Sequence, residues 1–136
     1  MKTVLFACVH NAGRSQIAAA IFNQLADATK ARAISAGTQP GVRVHPEVVE
    51  VMREKGVDVG GVAPAKLTDS LAAKANLLVT MGCGEACPVV PGVERDDWPL
   101  DDPKGQSIER VRHIRDQIEL RVRELLAARG WLGTAS

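Results

Sequence analysis

The chain predicts an α/β fold, a parallel sheet with helices on both faces. Three observations carry this. An apolar run of strand length, Thr3 to Ala7, stops at Cys8 and gives way within a few residues to a helix-period segment. Further strand candidates then alternate with helical segments, as βαβ units do. Last, Cys8, the Met81-to-Cys87 stretch and Asp102 each follow a strand candidate, and active sites in such sheets gather at the carboxyl ends of strands.

The elements follow in order. Ile17, Ile21 and Leu25 recur at helical spacing, flanked by Ala18 and Phe22, which predicts a helix over about Ser15 to Asp27. Ala31 to Ala36 reads as a short strand stopped by Gly37, and Thr38 to Val44, with Gly and Pro, as a loop. Pro46 suits the first turn of the next helix and Glu47 its positive end. Val48, Val49 and Met52 form that helix's buried side, and Gly56 stands where a C-terminal cap belongs. Val57 to Ala65 is Gly-rich and irregular. Thr68 can cap a short helix reaching about Lys74, with Asp69 in its first turn.

Asn76 to Thr80 reads as a buried strand and Gly82 to Gly92 as a loop. A short last strand falls within Val93 to Leu100, and Asp101 to Gly105 forms a turn. From Ile108 through Val111, Ile114, Ile118, Val122, Leu125 and Leu126 the apolar positions step by three or four. Arginines and glutamates fill the other face, so a long amphipathic helix closes the chain. No repeat, low-complexity tract or linker divides it, and residues 1–136 are expected to form a single domain.

The densest chemistry lies in Cys8-Val9-His10-Asn11-Ala12-Gly13-Arg14-Ser15. A cysteine at a strand end, five residues and then Arg-Ser at a helix start suit a tetrahedral oxyanion. Loop N–H groups can curl around it, the helix adds its positive end, and Arg14 offers a planar two-pronged donor. A thiolate is the reactive form of cysteine, and helix N-termini and neighbouring arginines favour thiolates. Ser15 can serve as a helix N-cap, as a hydrogen-bond partner of Cys8, or as both. Asn11 suits a left-handed turn position. His10 has nothing to position it as a base, and His45 and His113 have no partners by spacing. Trp98 is expected near the rim of the site and Trp131 over the end of the last helix.

Two later segments add candidates. Asp102, before Pro103, can protonate a leaving oxygen, although Asp101-Asp102-Pro103 can equally be only a turn. Cys83 and Cys87 lie in a Gly-containing loop that can bring thiols toward Cys8 for thiol–disulfide exchange. They can also be idle loop residues. Half a zinc site is the poorer option, because no second Cys or His pair completes it.

Composition excludes several classes. Seventeen basic and sixteen acidic residues leave a net charge of +1, with no basic stripe for nucleic acid and no polybasic cluster for a membrane surface. No apolar run is long enough to span a bilayer, and the first residues read as a strand rather than a signal peptide. A cytoplasmic protein is expected. Three cysteines do not make a structural disulfide framework and point to nucleophilic or redox chemistry.

Residues Cys8 to Ser15 resemble the phosphate-binding loop of the low-molecular-weight protein tyrosine phosphatase family, and more closely that of the arsenate reductases built on the same fold. The resemblance extends through Ser35-Ala36-Gly37-Thr38, His45-Pro46-Glu47, Lys55-Gly56-Val57-Asp58, Leu78-Val79-Thr80-Met81 and Trp98-Pro99-Leu100-Asp101-Asp102-Pro103. It implies a flavodoxin-like four-stranded parallel sheet and an oxyanion, arsenate or a phosphate-like ion, held by residues 8–15. It further implies Cys8 as nucleophile, Arg14 as anion ligand, Asp102 as general acid, and Cys83 and Cys87 as the thiols that relay a disulfide. No metal or organic cofactor is implied. The partner is a thiol reductant, either thioredoxin or mycothiol with a glutaredoxin-like protein.

This chain departs from the family at two points. Its last two cysteines are separated by only three residues, so that without a gap Gly82 aligns with the middle cysteine. Gly13 stands where some relatives carry another cysteine. The alternative activity is hydrolysis of phosphate monoesters, as in the tyrosine phosphatases that share the loop. Those enzymes place aromatic residues around the pocket, whereas Asp102-Pro103 is followed here by Lys104-Gly105 and the chain has no tyrosine. A silent anion-binding module is a third possibility, opposed by the intact Cys8, Arg14 and Asp102.

Overall fold

A computed structural model describes residues 1–82 and 90–133. The elements are β1 (Lys2–Cys8), α1 (Arg14–Leu25), β2 (Ala31–Gly37), α2 (Pro46–Arg53), α3 (Asp69–Ala73), β3 (Leu77–Thr80), β4 (Glu94–Asp97) and α4 (Ile108–Arg129). The strands form one four-stranded sheet in the order β2-β1-β3-β4, and every neighbouring pair is parallel. Cys8 pairs with Gly37, and Ala7 with Thr80, so β1, β2 and β3 end level with one another. That common rim receives the loops that carry the chemistry.

Alternation along the strands divides the core. Val4, Phe6 and Cys8 of β1, with Leu77 and Val79 of β3, face Ile17, Ile21 and Phe22 of α1, Val48, Val51 and Met52 of α2, and the inner stripe of α4. Leu5, Ala7 and Leu78 face the other way, onto Leu67, Ala72 and Ala75 around α3. The central strands β1 and β3 are thus buried on both sides, the usual condition of parallel strands. The small Ala72 and Ala75 let the short α3 segment lie close to the sheet. Fully burying one of the larger side chains, such as Phe22 or Ile118, contributes about 1.5–3 kcal/mol.

β4 falls within the expected 93–100, and all four of its residues, Glu94-Arg95-Asp96-Asp97, are exposed. Charges on an edge strand discourage pairing with other chains. The Trp98 N–H still donates to the Thr80 carbonyl at 2.8 Å; Pro99, which has no N–H, follows it. Trp98 packs under the rim, one residue beyond β4. It is 3% exposed and its ring lies 5.5 Å from that of Phe6. Trp131 packs on Phe22 at 6.3 Å, where the chain leaves α4.

The helices end for identifiable reasons. α1 stops at Leu25, short of Asp27, because Ala26 turns extended and bridges to Leu132. Beyond α2, Gly56 at φ +78° donates to Arg53 O at 2.9 Å and Val57 donates to Met52 O at 3.1 Å, the paired bonds of a left-handed glycine cap. Thr68 caps α3 by accepting from the Leu71 N–H, and Ser107 caps α4 by accepting from that of Arg110.

One buried residue of α4 breaks the apolar stripe. Arg115 is 7% exposed and reaches α2, donating to the Val51 carbonyl at 2.9 Å and to Glu54 at 2.6 Å. Among the described residues, no helix is long and apolar enough to cross a membrane. Nor do three or more His, Cys, Asp or Glu among them gather as they would to hold a metal ion.

Candidate active site

The loop between β1 and α1 is built inside out. Its carbonyls accept hydrogen bonds from the segment after β2. Gln39 N–H donates to Val9 O at 2.8 Å, Gly41 to His10 O at 2.9 Å, and His45 to Ala12 O at 2.9 Å. The backbone N–H groups of residues 9–15, by contrast, donate to no carbonyl among the described residues. A ring of free amides at a helix N-terminus is a ready receptor for an anion. Gly37 makes the close approach possible, because a Cβ there would stand 2.6 Å from Val9 O.

Cys8 is 2% exposed at the base of the loop, and its Sγ lies 2.8 Å from Ser15 Oγ. Ser15 is not the helix N-cap. Gly13 occupies that position without any side-chain bond, and Ser15 lies within α1, turned back toward Cys8. Asn11 takes the left-handed conformation, φ +50°, and donates from Nδ2 to Ser15 Oγ at 2.7 Å. Its Oδ1 accepts from Ala65 N and from Gln16 Nε2.

Arg14 is 7% exposed, a nearly buried cation. Nη1 donates to Leu100 O at 3.1 Å and Nη2 stands 3.6 Å from Asp102 Oδ2. A buried guanidinium with spare donors demands acidic or anionic company. The two adjacent aspartates separate cleanly. Asp101 pairs with Arg110 on α4, facing away from the loop, whereas Asp102 faces Arg14. Lys104 N–H donates to Asp102 Oδ1 at 3.0 Å, which holds the carboxylate's orientation. Pro103 closes directly over Gly13, where a Cβ would lie 2.6 Å from Pro103 Cγ.

His45 gains the neighbours that spacing did not suggest. It immediately precedes α2, and its ring edge would lie 3.6 Å from a Cβ at position 13. Burial pushes its imidazole below the ordinary value, against the opposing pull of the Asp102 and Glu47 carboxylates. His10 stands near it and contributes to that lowering. The Val9, His10, Ala12 and Gly13 carbonyls each accept a backbone bond that holds the loop in place. Cys83 and Cys87 lie outside the described residues.

Gly82 is a site residue that the pattern of residue types could not reveal. It sits at φ +97° against the Arg14 guanidinium. The only sequence signal was its alignment with a cysteine in the resembled family.

The comparisons agree with this geometry. Residues 3–130 match the low molecular weight phosphotyrosine protein phosphatase family, and the chain belongs to it. A Halobacterium salinarum protein carrying a provisional name as an arsenate reductase is 40% identical over 126 residues, 88% of this chain and 87% of the relative. The glutaredoxin arsenate reductase of Synechocystis sp. is 35% identical over 93% of this chain and 98% of its own length. Among solved structures, a thioredoxin-dependent arsenate reductase of Corynebacterium glutamicum superposes with a TM-score of 0.80 at 38% identity. It is matched over 94% of this chain but only 61% of its own.

Proposed function

We propose that the chain reduces arsenate to arsenite at the Cys8–Ser15 loop, drawing both electrons from thiols. The observation that carries this reading is a loop whose amides have no carbonyl partner among the described residues, with the buried Cys8 at its base and the buried Arg14 at its helix end. The arsenate reductases among its relatives select the oxyanion. Arsenate binds as the loop's anion. Cys8 sulfur attacks arsenic, an As–S bond forms, and a hydroxyl departs as water with a proton from Asp102. Cys83 or an external thiol then attacks the Cys8 sulfur. The S–S bond forms, the As–S electron pair stays on arsenic, and As(V) becomes As(III). In the internal relay Cys87 then attacks Cys83, the Cys83–Cys87 bond forms as the Cys8–Cys83 bond breaks, Cys8 leaves as a thiolate, and the new disulfide is presented to the reductant. Water and arsenite leave, and the disulfide holds the oxidising equivalents until a further dithiol reduces it.

The names of the relatives favour thioredoxin or a glutaredoxin-type protein as reductant, with mycothiol as the small-thiol alternative. The absence of tyrosine favours a small naked oxyanion over an aryl phosphate. The work is placed in the cytoplasm, where such reductants keep thiols reduced.

The deciding experiment is multiple-turnover arsenite production by the purified chain, supplied in parallel with thioredoxin and with mycothiol–glutaredoxin systems. Turnover that disappears in Cys8→Ser supports the reading. Turnover with thioredoxin that disappears in Cys87→Ser supports the internal relay, and turnover only with the external thiol assigns resolution to that thiol. No arsenite from either system, alongside rapid hydrolysis of an aryl phosphate, replaces the reductase reading with the phosphatase one.

A further inference from the structure

Gln16 has no place in the reaction just described, yet it is 4% exposed and lies directly behind the loop. Its Nε2 stands 3.1 Å from the Asn11 backbone carbonyl and 3.1 Å from Asn11 Oδ1. A backbone carbonyl can only accept, so the Gln16 amide must present its NH₂ end there. Its second hydrogen then meets Oδ1, which also accepts from the Ala65 N–H at 2.9 Å. Two donors converge on one end of the Asn11 side chain and define that end as oxygen. The other end is therefore NH₂, and it faces Ser15 Oγ at 2.7 Å. Ser15 must accept that bond, which leaves its own hydrogen for the Cys8 sulfur at 2.8 Å.

We propose that Gln16 is a positioning residue for the nucleophile: by orienting the Asn11 amide it obliges Ser15 to donate to Cys8. This rests on Cys8 acting as the attacking thiolate. Without Gln16, the Ala65 N–H alone defines the Asn11 oxygen, and the preference for this orientation of the amide weakens. The turned amide offers oxygen to Ser15, and the serine hydrogen leaves Cys8 for Asn11. A hydrogen bond donated to an anion stabilises the anion, so its loss withdraws support from the thiolate.

The test is the rate of Cys8 alkylation by iodoacetamide across pH in the full-length chain, read on the Cys8 peptide by mass spectrometry. Gln16→Met keeps the volume and removes the donor. It is expected to slow alkylation near neutral pH by about tenfold and to move the profile to higher pH, the size of one lost charge-stabilising bond. Gln16→Lys keeps a donor above the Asn11 oxygens and is expected to alkylate at close to the parent rate. In the Ser15→Ala background, Gln16→Met is expected to have no further effect, because its influence passes through the absent hydroxyl.

An unchanged profile in Gln16→Met, with or without a lower melting temperature, overturns the proposal and leaves Gln16 a packing residue. A slowing that repeats in full in the Ser15→Ala background overturns the proposed route. A parent chain whose Cys8 reacts no faster than in Ser15→Ala points to a different failure, that of the activated nucleophile itself.

Discussion

Gly82 and Arg14 occupy adjoining space at the rim of the sheet, and neither tolerates the other's enlargement. A Cβ on Gly82 would collide with Arg14 Nη1 and stand 3.1 Å from its Cζ. The guanidinium lies there because Leu100 O holds one nitrogen and Asp102 flanks the other. The glycine is also at φ +97°, where L side chains are strained. A cysteine at this position, as an ungapped alignment with the family would have it, would displace the Arg14 guanidinium.

Gly82→Ala is therefore expected to weaken oxyanion binding by at least about tenfold, the scale of one charge-assisted hydrogen bond. Gly56→Ala provides the contrast. Gly56 also has positive φ, +78°, but a Cβ there meets nothing within 4 Å. It is expected to cost about 1 kcal/mol of stability and leave binding intact. Inhibition by inorganic phosphate, beside thermal melts, separates the two.

The neighbouring aspartates are expected to differ sharply. Asp102→Asn removes the carboxyl beside Arg14 and is expected to lower kcat by about 10²–10⁴. Asp101→Asn removes an exposed pair with Arg110, worth at most about 1 kcal/mol, with kcat close to the parent value. Equal losses in steady-state kinetics would place the acid elsewhere.

Gly13 couples the Asp102 turn to the Cys8–Ser15 loop through Pro103. Gly13→Ala places a methyl group 2.6 Å from Pro103 Cγ and pushes the Asp102 turn outward. Part of the Asp102 contribution, about tenfold or more in kcat, is expected to vanish. Combined with Asp102→Asn, the glycine change should add little, since the acid it displaces is already gone. Full additivity would instead indicate that Gly13 acts on the anion loop alone.

Acid stability reports on the joint between α2 and α4. Arg112 grips Glu54 at 3.0 and 2.9 Å and Arg115 adds a bond at 2.6 Å. Hydrogen bonds from Arg112 and then Arg115 hold the carboxyl well below its ordinary 4.5, at about 2. A value depressed in the folded state means that the unfolded chain binds the proton first. The stabilisation is complete above 4.5 and disappears as pH falls toward about 2. Melting temperature measured across that window should fall less steeply in Glu54→Gln than in the parent. Parallel curves would show that the cluster contributes nothing to acid sensitivity.

The residue pattern by itself determined the class of fold and the centre of the site. Strand, loop and helix start are contiguous between Thr3 and Gln16, so local rules for strands, anion-binding loops and helix termini suffice to read them. The helical stripe of α4 was legible for the same reason, since its spacing of three and four is a local signal. Ser15 was readable as a partner of Cys8, but not as a residue inside the helix rather than at its cap.

Only the tertiary structure decided which residues from the rest of the chain complete that centre. Arg14 and Leu100 are 86 positions apart, and no periodicity connects them. The choice between Asp101 and Asp102 is made by where α4 places Arg110. The segment from Gln39 to His45 takes up the loop's carbonyls, while the loop's amides have no carbonyl partner among the described residues. Burial of Arg115 depends on α2 offering a carbonyl and a carboxylate at one spot. Local sequence sets dihedral preferences and apolar periodicity. Contacts between distant segments arise only when the sheet aligns their ends, and the chemistry of this rim depends on that alignment.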